Sequence, residues 1–254
     1  CADRAADALD ALLERHAGQV CALIIEPLVQ CAAGMRMHHP QYLRRARAAC
    51  DRHGVHLIAD EIAVGFGRTG TLFACQHGPI TPDFLLLGKG LTGGYLPLSA
   101  VLTTERMYDA FYADYAAQKA FLHSHSYCGN PLACATALAT LDIFETDDVL
   151  TRNQARAQAL ARAAAPLADH PHVAEVRQTG MILAIELVAD RATRTPYPWQ
   201  ERRGLLVYRH GLENAMLLRP LGNVVYWMPP YVLTDDEIAA LGRVTADGIA
   251  AAVA

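Results

Sequence analysis

The stretch Pro82-Asp83-Phe84-Leu85-Leu86-Leu87-Gly88-Lys89-Gly90-Leu91-Thr92-Gly93-Gly94 reads as a short buried strand running into a glycine-rich turn, with a lysine at the exit. Lys89 and Lys119 are the two lysines among 22 basic residues; arginine supplies the rest. Arginine keeps its proton and forms no Schiff base. A lysine against apolar surroundings can lose its proton and attack a carbonyl. Gly88 and Gly90 beside it let the backbone come close to a bound group. The plainer alternative is a strand that ends in a solvated lysine.

Upstream, Asp3 to His16 carries apolar residues at helical spacing, and Val20 to Ile25 is a continuous apolar run of strand length closed by Glu26-Pro27. Leu28 to Met37 reads as a loop. Pro40 opens a helix over Gln41 to Arg52, which Gly54 ends. Val55 to Ala59 is the next strand, with Asp60 and Glu61 at its carboxyl end. Downstream of Lys89 follow a strand at Leu98 to Leu102, a short helix from Glu105 to Tyr112, a loop from Asp114 to Asn130, and a helix that starts at Pro131. This alternation predicts an α/β layer with a mostly parallel sheet and helices on both faces. Ligands of such sheets sit at the carboxyl ends of the strands. Asp60 and Lys89 both lie at such ends, and they converge on one crevice if their strands are neighbours.

After Asp147 the texture changes. An alanine- and arginine-rich helix is predicted from about Asp148 to Ala168, then strands at Val173 to Gln178 and Met181 to Val188. A helix near Gln200 to His210, strands at Met216 to Leu218 and Val224 to Met228, and a last helix from Asp235 to Ala252 complete the chain. Thr234 and Glu237 form the capping box of that last helix. The reading gives two domains, residues 1–147 and a smaller α+β module over residues 148–254.

Net charge is −4, with both signs spread along the chain, and no basic run interleaved with aromatics suggests nucleic acid. The longest apolar runs are far short of a membrane span, and no signal peptide is visible. The seven cysteines, Cys1, Cys21, Cys31, Cys50, Cys75, Cys128 and Cys134, include no C-x-x-C pair. That pattern predicts free thiols in a reducing, cytoplasmic compartment.

Gly65-Phe66-Gly67-Arg68-Thr69-Gly70 matches G-x-G-x-x-G. Asp60 and Glu61 just before it would repel a pyrophosphate, and no long helix starts at Gly70 to hold the anion. His53, His56 and Asp60, or His123 with His125, fall short of a metal shell. G-x-S-x-G is missing, and the thiols have no His partner at a recognisable spacing. Asp60 with Lys89 makes better chemistry. Pyridoxal phosphate needs a lysine to carry it and an acid that keeps its pyridine nitrogen protonated, so that the ring acts as an electron sink. Read alone, Asp60 is also an ordinary turn or capping residue.

Asp60-Glu61-Ile62-Ala63-Val64-Gly65-Phe66-Gly67-Arg68-Thr69-Gly70 resembles the D-E-I-x-T-G-F-G-R-T-G segment of the class III, fold type I aminotransferases. Gly88-Lys89-Gly90-Leu91-Thr92-Gly93-Gly94 is similar to their G-K-x-L-T-G-G lysine segment. Glu26 to Gln30 and Gly129 to Ala135 match two further segments, and the resemblance covers essentially the whole chain. The tail Leu218 to Tyr231 points, within the class, to the branch that aminates 8-amino-7-oxononanoate with S-adenosylmethionine in biotin synthesis.

The resemblance implies pyridoxal 5′-phosphate as cofactor and a homodimer whose sites are shared between subunits. By position it implies that Lys89 carries the cofactor and moves the substrate proton, and that Asp60 pairs with the pyridine nitrogen. His125 and Ser126 fall where the family binds the cofactor phosphate of the neighbouring subunit, and Ser124 falls at a substrate contact. Arg219 would bind the oxononanoate carboxylate, to which a guanidinium can donate two parallel hydrogen bonds, and Tyr226 would line the same pocket. Read alone, Arg219 is a surface arginine.

Several departures from the family pattern stand out. Val64 replaces the usual threonine, Leu221 stands in place of an aromatic, and His123-Ser124-His125-Ser126 replaces H-G-P-T while keeping a hydroxyl at Ser126. The family's amino-terminal portion, with its Gly-Ser phosphate cup and a ring-stacking aromatic, has no counterpart, and the chain begins at Cys1. The expectation is therefore the carboxyl-terminal part of a longer enzyme. Another class III ω-aminotransferase, or an incomplete fragment serving only as a folded or dimerising module, stays open at this point.

Overall fold

The computed structural model describes residues 2–254, which fall into two compact units. The first holds residues 2–28, 38–66 and 71–148; the second holds 29–37, 67–70 and 149–254.

The first unit begins with α1 (Ala2–Arg15), which buries Ala6 and Leu13, and β1 (Ala22–Ile25). The next two strands, β2 (Val29–Gln30) and β3 (Arg36–Met37), belong to the second unit. They pair antiparallel, Val29 with Met37 and Gln30 with Arg36, so the loop expected over Leu28 to Met37 is a small hairpin. Two-residue strands leave too little alternation to be read from sequence.

Back in the first unit, α2 (Pro40–His53) has the expected proline start, and Gly54 closes it at φ 66. Its N-cap His39 accepts the Gln41 N–H on Nδ1 at 3.1 Å. Then come β4 (His56–Asp60), β5 (Phe84–Leu87), β6 (Ala100–Thr103), α3 (Glu105–Asp109) and α4 (Pro131–Thr146). The sheet runs β1-β4-β5-β6, with β1, β4 and β5 parallel and β6 antiparallel on β5. Side chains alternate across it. Ile25, Leu57, Ala59 and Leu87 are buried on one face. On the other, Ile24 and Val101 are 58% and 63% exposed.

The second unit continues with α5 (Val149–Ala164), β7 (Val173–Thr179), β8 (Ile182–Asp190), β9 (Thr195–Pro196) and α6 (Arg203–Glu213). It ends with β10 (Arg219–Leu221), β11 (Val224–Trp227) and α7 (Asp235–Val253). The sheet order is β10-β11-β8-β7, antiparallel throughout, with β9 also on β8. Leu160, Met181, Ile185, Leu187, Leu218, Val225, Trp227 and Ile249 form its core. Each such side chain contributes on the order of 2 kcal/mol through its removal from water. The indole N–H of Trp227 is satisfied by donating to Thr245 Oγ1 at 3.1 Å.

Three of the expected elements that shift do so for a local reason. The helix read to Ala168 stops at Ala164, because Pro166 has no N–H to continue it, and a 3-10 turn covers Ala165–Asp169. The helix read from Gln200 starts at Arg203, after a 3-10 turn and a left-handed Arg202 at φ 50. Left-handed Ala215, at φ 58, and the Met216 N–H bond to the Gly211 carbonyl hold the segment before β10 in a turn, so the strand read at Met216 begins at Arg219.

Candidate active site

β4 and β5 are hydrogen-bonded neighbours, with Asp60 opposite Leu86. Glu61 N–H extends the ladder by donating to the Leu86 carbonyl at 3.0 Å. Parallel neighbours lie about 4.8 Å apart, so Asp60 and the turn that carries Lys89 emerge side by side at the carboxyl edge of the sheet. The condition set on the sequence, that the two strands be adjacent, is met.

Asp60 is half-buried, and its Oδ1 accepts the Ile62 N–H at 3.0 Å. Lys89 follows an extended Gly88 and takes the left-handed conformation at φ 42. Its side chain is exposed and makes no hydrogen bond or ion pair with the described residues. Gly90 is needed next to it. A Cβ there would lie 2.8 Å from Phe66 Cβ and 3.0 Å from Phe66 Cδ2. Phe66 packs with Leu87, Leu91 and Ala137 in the small core beneath this turn.

Glu61 is fully buried, a position that its place in the motif did not reveal. Its Oε2 accepts the Ala74 N–H at 2.8 Å and its Oε1 the Cys75 N–H at 2.7 Å. Burial pushes its carboxyl above the ordinary value, and the two N–H groups oppose that rise. Burial, followed by the Glu61 charge, pushes the Cys75 thiol up to about 12, so it is not a thiolate nucleophile.

The G-x-G-x-x-G run holds no anion-binding helix start. Residues 62–73 are turns and bends, followed by a 3-10 helix of four residues, Ala74–His77. Gly67 to Gly70 instead packs within the second unit. The Arg68 carbonyl accepts the Met181 N–H at 2.8 Å, and its guanidinium donates to the Pro229 carbonyl at 2.6 Å and lies 4.6 Å over the Tyr231 ring. His53 meets Asp10 at 2.8 Å, while His56 stands at the opposite end of β4 from Asp60, 3.7 Å from Asp83. Among the described residues no three His, Cys, Asp or Glu side chains group to hold a metal ion. Cys1 lies outside the described residues; Cys21, Cys31, Cys50, Cys75, Cys128 and Cys134 are free thiols.

Ser124, His125 and Ser126 lie on an exposed loop of the first unit. The His125 ring accepts the Tyr127 N–H on Nδ1 at 3.2 Å, and no hydrogen bond ties these three residues to Asp60 or Lys89. In the second unit Arg219 and Tyr226 face each other across β10 and β11, with the guanidinium 5.9 Å from the ring centroid.

The family model "Aminotransferase class-III" matches residues 1–246. The chain belongs to the class-III aminotransferase family. Two relatives, from Nitratidesulfovibrio vulgaris and Geobacter sulfurreducens, are each named adenosylmethionine-8-amino-7-oxononanoate aminotransferase. Each is 49% identical, over 92% and 91% of this chain. The crystal structure of the protein of that name from Methanocaldococcus jannaschii superposes with a TM-score of 0.94 at 38% identity, covering 97% of this chain and 57% of that one. The chain spans about half the length of the curated relatives it matches, 43% and 51% for these two. These likenesses bear out fold type I with its mostly parallel sheet. The cofactor of class-III aminotransferases is pyridoxal 5′-phosphate. The residues present fit it: Lys89, whose amine makes no hydrogen bond or ion pair with the described residues, and Asp60, which has one oxygen occupied by a backbone N–H, lie at the ends of neighbouring strands.

Proposed function

We propose that the protein transfers the amino group of S-adenosylmethionine to 8-amino-7-oxononanoate, giving 7,8-diaminononanoate in biotin biosynthesis. The observation that carries this reading is that Asp60 and the turn bearing Lys89 lie at the ends of two neighbouring parallel strands, in a chain 49% identical to relatives named for that reaction. When bound, pyridoxal phosphate supplies an electron sink for the carbon that gains or loses the amine. Lys89 would hold the cofactor through Nζ and move the proton of that carbon, and Asp60 would pair with the ring nitrogen. Arg219 would bind the carboxylate of the acceptor with Tyr226 opposite it on β11, and Ser124 would contact substrate.

His125 and Ser126 would hold the cofactor phosphate of a second subunit, which would make the protein a homodimer with shared sites. Exposed apolar side chains in residues 95–132, among them Tyr115 at 97%, Leu122 at 91% and Leu132 at 71%, support a partner surface there. Residues 1–147 are the carboxyl-terminal part of the large cofactor domain, and residues 148–254 are the small domain. A cytoplasmic site of action fits the free thiols, and no described helix is long and apolar enough to cross a membrane.

Borohydride reduction with pyridoxal phosphate, followed by mass mapping, tests the assignment. The label is expected on Lys89. A label confined to Lys119 or the terminal amine would remove Lys89 from the cofactor site.

A further inference from the structure

Glu61 is a buried carboxylate with no cation beside it among the described residues. Such a group is costly to bury unless its oxygens are hydrogen-bonded. What the carboxylate offers is two acceptors at once. One oxygen takes the Ala74 N–H at 2.8 Å and the other takes the Cys75 N–H at 2.7 Å. Its backbone is held from the opposite side, where Glu61 N–H donates to the Leu86 carbonyl of β5. The residue therefore fastens the far end of the loop, Ala74 and Cys75, to the end of β4. Within the loop, Gly65 N–H donates to the Glu61 carbonyl at 2.9 Å, and a Cβ on Gly65 would lie 2.8 Å from that oxygen. Two residues at the closed loop matter for chemistry. Asp60 adjoins Glu61 and accepts from Ile62 inside the loop. Phe66, at φ 54, lies against Gly90, the neighbour of Lys89.

We propose that Glu61 is a positioning residue, which locks the 61–75 loop to the end of β4 and so fixes Asp60 at the cofactor ring and Phe66 beneath the Lys89 turn. The proposal rests on the reading of Asp60 given above. Asp60 can serve a ring nitrogen only if its oxygen is held to a fraction of an ångström, and supporting hydrogen bonds give that precision. A glutamine at 61 would keep one acceptor and present its NH2 to a backbone N–H, so it would hold half of the lock.

The test compares E61A, E61Q, D60A and the D60A/E61A double variant in the holoenzyme. Amide exchange at Ala74 and Cys75 and the cofactor dissociation constant per folded protein are measured for each. Exchange at both amides is expected to speed up at least about tenfold in E61A. Cofactor affinity is expected to fall about tenfold in E61A and less in E61Q. The double variant should bind no more weakly than D60A, because the effect of Glu61 passes through Asp60. Losses that multiply in the double variant would show general loosening and overturn the proposal. So would freed amides with wild-type cofactor affinity in E61A while D60A binds weakly, and that result leaves the Asp60 reading standing. Wild-type affinity in D60A removes the Asp60 reading and the proposal with it. If E61A does not fold, E61Q and D60A/E61Q carry the same comparison.

Discussion

Gly180 turns the β7–β8 hairpin at φ +57, and a Cβ there would lie 2.6 Å from the Arg68 carbonyl oxygen and 2.8 Å from Thr69 Cα. Both obstacles are backbone, which cannot swing aside. Gly18 has a similar φ of +74 with nothing within 4 Å. Gly18→Ala is expected to cost about 1–2 kcal/mol of left-handed strain alone, and Gly180→Ala about 2–4 kcal/mol once overpacking is added. Denaturant midpoints of the two variants read the difference, and equal losses would mean that the contact with Arg68 and Thr69 relaxes freely. The same contact explains what could be read in Gly65 to Gly70. Its glycines were visible as backbone that must bend, and the carboxylates before it argued against a phosphate loop. Its partners were not visible, because Gly180, Pro229 and Tyr231 lie more than a hundred residues away in sequence. The spacing also left the burial of Glu61 unseen, since a carboxylate at a strand end is ordinarily solvated.

Elements were legible where a local signal fixes them. The start of α7 is the clearest case. Thr234 N–H donates to Glu237 Oε2 at 2.7 Å, and Glu237 N–H donates to Thr234 Oγ1 at 3.3 Å, which is the capping box read from the sequence. Thr234→Ala is expected to lower stability by about 1 kcal/mol, while Thr234→Ser should keep most of it. Thermal unfolding of the two variants checks this, and equal melting temperatures for alanine and serine would deny the cap its role. The backbone N–H and then the Thr234 hydroxyl hold the Glu237 carboxyl below its ordinary 4.5, so the box weakens as pH falls through that lowered value. β4 and β5 were likewise visible as apolar runs with polar ends. α6 was displaced by three residues because a left-handed Arg202 carries no sequence mark. β2 and β3 escaped because two residues cannot show a period.

Over the whole molecule, the response to acid is set by groups whose surroundings change on folding. Burial alone would raise the Asp83 carboxyl. The Leu57 N–H at 2.8 Å, then Arg47 at 2.7 Å and the charge of His56, outweigh burial and hold it below its ordinary 3.8. Burial also holds His38 below 6.5, opposed by its bond with the Glu26 carbonyl at 3.3 Å. Both groups bind fewer protons folded than unfolded, so each removes stability on acidification, His38 as pH falls below 6.5 and Asp83 as it falls below 3.8. Glu61 runs the other way. Its raised value means that its contribution is present below 4.5 and is lost as pH rises through the folded value. Nothing in the sequence near Asp83 marked it, since Arg47 and Arg106 approach from 36 and 23 residues away. Asp83→Asn should lower stability at pH 7 by on the order of 3 kcal/mol, because Arg47 keeps only the exposed Asp51 as a partner. The variant should also lose stability less steeply below pH 4, since asparagine has no proton to gain. Urea unfolding between pH 3 and pH 8 measures both effects. An acid limb as steep in the variant as in the parent would place the acid sensitivity in other carboxyls and leave Asp83 with a packing role alone.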